Sequence, residues 1–230
     1  MMMESDSLID LMRPKIKICD VRTMEAARTC IDYSIDFAGI HNLKWPMTLS
    51  KQSLFHEVKK QTNRLKLVLV TKEEDPAKLF EMCCASKCDI VQLHFCVSNK
   101  LLYWLKNQLA KNNLDIEIIS VFQANLFNLN DSHSIIQNTD YILFDSSLRG
   151  GTGIASSDDV LARLSALALD KPIFIAGGLS PSNVSHAVQI LRPFAVDVQS
   201  GVEYKDSTRK HEKDPLLVEA FVKAVRKTNT

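Results

Sequence analysis

An α/β chain folded as a single (β/α)8 TIM barrel of the phosphate-binding type is what the sequence predicts, and three observations carry that prediction. Eight short apolar runs alternate with eight helical stretches at intervals of about 25 residues, and strict alternation over this length favours a closed parallel barrel. The stretch KPIFIAGGLSPSNVSHAVQILRPFAVDVQSGVE, Lys171–Glu203, reads as strand, glycine turn, helix, strand, glycine turn. Parallel strands joined by a helix need a right-handed crossover, which puts both turns at one edge of the sheet. Of the seven glycines, Gly150, Gly151, Gly153, Gly177, Gly178 and Gly201 follow the last three strands, and Gly39 lies within the second. Glycine lets backbone approach a ligand closely, so the site falls on that side of the barrel mouth. An open doubly wound sheet is the alternative architecture; its dinucleotide mark, G-x-G-x-x-G in the first turn, is absent.

The elements follow in order. Residues 1–14 form an extension with a helical turn or two around Leu8–Met12, and the barrel occupies 15–230. Lys15–Asp20 is strand one, and Thr23 caps a helix to Ser34. Asp36–His41 is strand two and Leu49–Thr62 a helix; Leu65–Thr71 is strand three, followed by a helix over Asp75–Ser86 with Pro76 at its first position. Asp89–Phe95 is strand four, and Ser98–Asn112 is a helix burying Leu101, Leu102, Leu105 and Leu109. Asp115–Gln123, a short helix over Asp131–Asn138, Tyr141–Ser146 and a helix over Ser156–Leu169 come next, the last capped by Ser157 or Asp158. Pro172–Ala176 and Phe194–Val198 are strands seven and eight. Between them Ser180-Pro181 starts a helix, and Pro215–Lys227 is the closing helix.

Composition narrows the class of function. An apolar share of 46%, a charged share of 24% and a net charge of +1 without a basic block describe a globular protein with no nucleic-acid partner. No apolar run approaches the roughly 20 residues that cross a bilayer, and the acidic start is unlike a secretory signal. Six scattered cysteines indicate a reduced, cytoplasmic chain. Only Cys84 and Cys88 approach zinc-ligand spacing, with no second pair, so neither metal nor cofactor is implied.

Six motifs stand in series: KIC at 17–19, VQLH at 91–94, LFDS at 143–146, GGTG at 150–153, GGL-x-P-x-NV at 177–184 and RPFAVDV-x-SGVE at 192–203. In order and spacing the chain resembles the phosphoribosylanthranilate isomerase family of tryptophan biosynthesis, over residues 15–227. That resemblance implies an Amadori rearrangement of an aminoaldose phosphate to an aminoketose phosphate, acting on a small phosphorylated sugar as monomer or homodimer. It assigns the base to Cys19 and the acid to Asp145, each closing a strand at the mouth where barrel enzymes place their chemistry. Alone, a strand-end cysteine reads as a small core residue and a post-strand aspartate as a turn residue; the motif series reverses both readings. His94 and Asp197 are expected to contact the substrate, His94 as a wall residue and Asp197 towards the amine or ring end. The phosphate falls to Gly151, Gly177, Gly178, Ser200 and Gly201.

The chain departs from the family at specific points. Asp20 replaces the glycine after the first-strand cysteine, and Arg22 is the nearest cation to offset it. The family's arginine after strand two is missing, which leaves Arg22 or Lys44 to meet the substrate. Phe95 follows VQLH, and Ile154-Ala155-Ser156-Ser157 follows GGTG. These changes cluster around the aromatic end, so a divergent enzyme on another phosphosugar, or a non-catalytic phosphometabolite-binding paralogue, are the alternative functions.

Overall fold

The computed structural model describes residues 13–146, 158–166, 169–206 and 208–229. Along it run β1 (Lys15–Ile18), α1 (Met24–Asp32), β2 (Phe37–His41), α2 (Leu49–Gln61), β3 (Lys66–Thr71) and α3 (Pro76–Ser86). There follow β4 (Ile90–Leu93), α4 (Asn99–Lys111), β5 (Glu117–Gln123), α5 (Leu129–Gln137), β6 (Tyr141–Asp145) and α6 (Asp158–Ser165). The chain ends with β7 (Ile173–Ala176), α7 (Val184–Leu191), β8 (Ala195–Val198) and α8 (Pro215–Arg226). The strands are all parallel and close in sequence order, β1 pairing with β8 in a register that sets Lys17 opposite Asp197.

Local chemistry explains the boundaries. Thr23, Asp75, Ser98 and Asp214 each accept a hydrogen bond from a first-turn amide of the helix they precede, and Pro76 and Pro215 occupy first helical positions. At the opposite face, Asp36, Asp89 and Asp140 stand just before β2, β4 and β6. Each accepts from the amide of an adjoining strand residue: Ile16 at 2.8 Å, Leu67 at 2.7 Å and Ile118 at 2.9 Å. Lys15, Lys59 and Lys106 pair with these same carboxylates. The aspartates thereby satisfy strand ends that no ladder partner reaches.

Two cores result. Helices pack on the outside of the barrel through Leu79, Met82, Leu102, Leu105, Phe221 and their neighbours. Inside, Phe37, Val68, Val70, Ile90, Ile119, Tyr141, Leu143 and Phe174 fill the barrel. Phe37, Tyr141, Phe174 and Phe194 form one ring cluster, with centroids 5.2–6.3 Å apart. Both faces of each strand are therefore buried, which is why the strands read as continuous apolar runs.

Three expectations need correction or limits. The strands are shorter than the apolar runs suggest: β2, β3, β5, β7 and β8 start one or two residues later, and β1, β4 and β6 end earlier, as at β1, where Cys19 still donates its amide to Val198 (2.8 Å) but Asp20, at φ 61°, turns the chain away. The helix expected from Ser180-Pro181 begins instead at Val184. Asn183 holds residues 180–183 in a turn, its Oδ1 accepting from the Ser180 amide (2.8 Å) and its Nδ2 donating to the Gly178 carbonyl (2.9 Å). The extension helix around Leu8–Met12, the GGTG motif with Gly151, and the Ser157 cap lie outside the described residues.

Candidate active site

The C-terminal ends of the strands open onto a cavity of about 220 Å³. Cys19 reaches it from just after β1, His41 from β2, His94 from just after β4, Asp145 from β6 and Asp197 from β8. Lys72, whose backbone N–H after β3 donates a hydrogen bond to the Leu43 carbonyl (2.9 Å), adds a cation to the rim. Gly177 and Gly178, with Ser200, form the wall on the side of the last two strands.

A buried ion pair underlies the floor. Lys17 is fully buried, and its Nζ lies 2.7 Å from Asp197 Oδ2. Gly39 makes room for it: a Cβ there would stand 3.0 Å from Cys19 Sγ and 3.2 Å from Lys17 Nζ. Asp197 Oδ1 is buried with no hydrogen-bond partner among the described residues, and Asp197 lines the cavity. Burial raises the Asp197 pKa, with Lys17 opposing that shift. Burial also pushes the Cys19 thiol up to about 11 and is only partly offset by Lys17, whose charge is shared with Asp197.

Asp20 keeps the left-handed backbone that glycine would supply, a conformation aspartate tolerates. Its side chain is buried and met by Arg22 from two nitrogens, Nε at 2.9 Å and Nη2 at 2.7 Å. Burial opposes ionisation of Asp20, but Arg22 and His41 outweigh it and hold the carboxyl below its ordinary value. The other Asp20 oxygen lies 3.4 Å from His41 Nδ1, and His41 Nε2 lies 3.2 Å from Cys19 Sγ. Burial depresses His41 to about 4 despite Asp20. Desolvation likewise lowers His94, against the pull of Asp145.

The two glycine turns meet by backbone contact. Gly177 and Gly178 have φ of 96° and 66°, accessible to them without a Cβ. A Cβ on Gly201 would lie 2.0 Å from the Leu179 carbonyl oxygen, so only glycine lets the loop after β8 press on the loop after β7. Behind that loop, Glu203 pairs with Lys213 at 3.0 Å, and Lys213 also donates to the Gln199 carbonyl (3.2 Å). Asp20, Glu203 and His211 bring ligand atoms within 4.8 Å of one another, a grouping already neutralised by Arg22 and Lys213. Of the cysteines weighed for zinc, Cys83 and Cys88 are buried while Cys84 and Cys96 are exposed.

Of the expected site residues, Cys19, His94, Asp145, Asp197, Gly177, Gly178 and Ser200 converge on one cavity. Arg22 does not line it; its guanidinium is committed to Asp20. Gly201 supports the wall from behind through its contact with Leu179. Lys44 is exposed, and Lys72 is the lysine at the rim. Sequence reasoning missed Lys72, His41 and the role of Lys17. His41 carried a usable signal, since it ends a strand at the mouth just as Cys19 and Asp145 do.

A closed parallel barrel with titratable groups at its C-terminal mouth, beside two joined glycine turns, has the architecture of a (β/α)8 barrel enzyme. Residues 16–224 match the family described as N-(5'phosphoribosyl)anthranilate (PRA) isomerase. The chain belongs to that family. It is 29% identical to the N-(5'-phosphoribosyl)anthranilate isomerase of Moorella thermoacetica over 213 residues, covering 93% of this chain and 90% of the relative. Isomerase 1 of Methanosarcina mazei is also 29% identical, over 95% of this chain and 97% of its own. Among solved structures, the phosphoribosyl anthranilate isomerase of Thermotoga maritima superposes with a TM-score of 0.75 at 22% identity, covering 93% of this chain and 99% of that one.

Proposed function

We propose that this chain converts N-(5-phosphoribosyl)anthranilate to the carboxyphenylamino-deoxyribulose phosphate, with Asp145 as acid and Cys19 as base. Asp145 donates a proton to the ring oxygen as the furanose opens to a Schiff base. Cys19 then removes the C2′ proton, and the electrons of that bond form the enolamine, which becomes the ketose. Asp197 Oδ1, buried at the cavity with no partner among the described residues, accepts a hydrogen bond from the substrate amine. His94 walls the anthranilate side, and Lys72 is the rim cation that meets a carboxylate. The phosphate lies against Gly177, Gly178 and Ser200. The observation that carries the reading is that strands one and six deliver Cys19 and Asp145 to one cavity edged by the two glycine turns.

A solved barrel of the same fold, 21% identical, was crystallised with reduced 1-(o-carboxyphenylamino)-1-deoxyribulose 5-phosphate, which is consistent with that ligand class here. Among the described residues no helix is long and apolar enough to cross a membrane; we place the enzyme in the cytoplasm, where its six cysteines stay reduced.

The test is complementation of a tryptophan auxotroph lacking the isomerase, followed by turnover of the purified protein. Cys19→Ser and Asp145→Asn should each lower kcat by at least about 10²-fold with little change in phosphate affinity. Near-wild-type kcat in both variants would end this reading. A second reading, the same rearrangement on another phosphosugar, is favoured by the absence of a second-loop arginine. Failed complementation by a protein that still rearranges other aminoaldose phosphates would establish it.

A further inference from the structure

We propose that the base of this enzyme is a thiol–imidazole pair: His41, held by Asp20, takes the proton of Cys19 and so generates the thiolate that attacks the C2′ hydrogen. The proposal rests on the reading of Cys19 as base and adds a second proton-transfer residue to it.

The geometry is a chain of three side chains from two adjacent strands. Cys19 Sγ lies 3.2 Å from His41 Nε2, and His41 Nδ1 lies 3.4 Å from Asp20 Oδ1. Asp20 is itself fixed by Arg22, which occupies Oδ2 and leaves Oδ1 for the imidazole. A carboxylate at Nδ1 selects the tautomer protonated there, which makes Nε2 the acceptor facing the thiol. Asp20 also stabilises the imidazolium once it forms. The ring lines the cavity, so it sits beside the reacting atoms and not behind them.

The need for a partner follows from the surroundings of Cys19. A buried thiol is a poor base until ionised, and Lys17, its nearest cation, is already bound to Asp197. The charged groups acting on His41 are Asp20 and Lys17 from β1 and its turn, His94 from the end of β4, and Lys213 from the segment before α8. Burial and three of these groups disfavour a resting imidazolium, so the ring stands neutral, and Asp20 is the group that favours the imidazolium formed on transfer.

The protons balance. The Cys19 S–H bond breaks and its proton passes to His41 Nε2. The thiolate forms a new S–H bond with the C2′ proton, while the C–H electrons make the carbon–carbon double bond and neutralise the iminium nitrogen. Asp145 has by then given its proton to the ring oxygen. The imidazolium and the Asp145 carboxylate are left with opposite charges, and solvent at the mouth carries one proton from the first to the second.

The experiment follows alkylation of Cys19 by iodoacetamide, located by mass spectrometry, as a function of pH. Internal transfer leaves the ion-pair fraction independent of pH while the two groups share one proton, so where the ion pair outnumbers thiolate formed by proton loss to solvent the wild-type rate should show a flat shelf. In His41→Gln the shelf should vanish, leaving a rate that rises about tenfold per pH unit. Its kcat should fall about 10²-fold with KM little changed. Asp20→Asn should lower the shelf and kcat by a smaller factor. Added imidazole should restore turnover to His41→Ala, which a purely structural role would not allow. If His41→Gln does not fold, the wild-type shelf, Asp20→Asn and imidazole rescue carry the test.

A wild-type alkylation rate that climbs with pH from neutrality, or His41→Gln with unchanged kcat and an unchanged shelf, overturns the pair. Alkylation needs no substrate, so a shelf in a protein that fails to turn over phosphoribosylanthranilate separates failure of the function from failure of the pair.

Discussion

Replacing Lys17 by methionine tests whether the floor of the barrel is held by its ion pair. The substitution keeps the length of the stem but leaves Asp197 buried without its partner 2.7 Å away. Lys17 is fully buried and the Asp197 side chain only 6% exposed, so solvent screening does not soften the loss. Breaking a buried pair from one side typically costs about 3–5 kcal/mol. For a chain of this size each kcal/mol moves Tm by about 2–4 °C, so Lys17→Met should melt about 6–20 °C lower near neutral pH. The pH dependence has a defined sign. Losing Lys17 removes the group that opposes the burial-driven rise of the Asp197 pKa, so the folded variant binds a proton more tightly than the unfolded chain. Its stability must then fall as pH rises above the unfolded carboxyl value of about 3.9, until the raised folded value is passed. The gap to wild type should therefore narrow on going from pH 7.5 to pH 5. Pairing Lys17→Met with Asp197→Leu should restore most of the stability and none of the activity. Thermal denaturation of wild type, Lys17→Met, Asp197→Leu and the double variant at both pH values is the assay. A Lys17→Met Tm within about 3 °C of wild type at pH 7.5, or a gap that does not narrow at pH 5, refutes the argument.

Three further substitutions test other parts of the barrel. Gly201→Ala places a methyl where the Leu179 carbonyl stands, so the loops after β7 and β8 must part; KM should rise about tenfold or more while kcat changes less, read from steady-state kinetics. Asp89→Ala, on the opposite face, strips the Leu67 amide of its acceptor and should cost about 1–2 kcal/mol in denaturant unfolding with kcat unchanged. If Arg22 serves to offset Asp20, Arg22→Ala should raise KM in the wild type but not in an Asp20→Gly background; equal effects in both would show the residues to be uncoupled.

Much of this protein is legible along the chain because its signals are local. Caps at Thr23, Asp75 and Ser98, prolines at helix starts, and apolar runs of strand length depend only on residues near one another, so eight strand–helix units can be counted from them. Closure of eight parallel strands then puts every strand end on one rim, which is why Cys19, His94, Asp145 and Asp197 are found together. Tertiary structure decided what no local signal carries: which charges face each other across strands. Lys17 and Asp197 lie 180 residues apart in sequence and meet because β1 pairs with β8. Cys19, Asp20 and His41 become one chain of contacts because β1 pairs with β2, and Arg22 turns to Asp20 and leaves the rim to Lys72. The N-terminal part of the GGL-x-P-x-NV helix likewise yields to a turn because the Asn183 side chain is bound to the Gly178 carbonyl and the Ser180 amide. Sequence periodicity specifies which side of an element is buried; only the closed barrel specifies which side chains share that burial, and electrostatics at these short distances is set by the sharing.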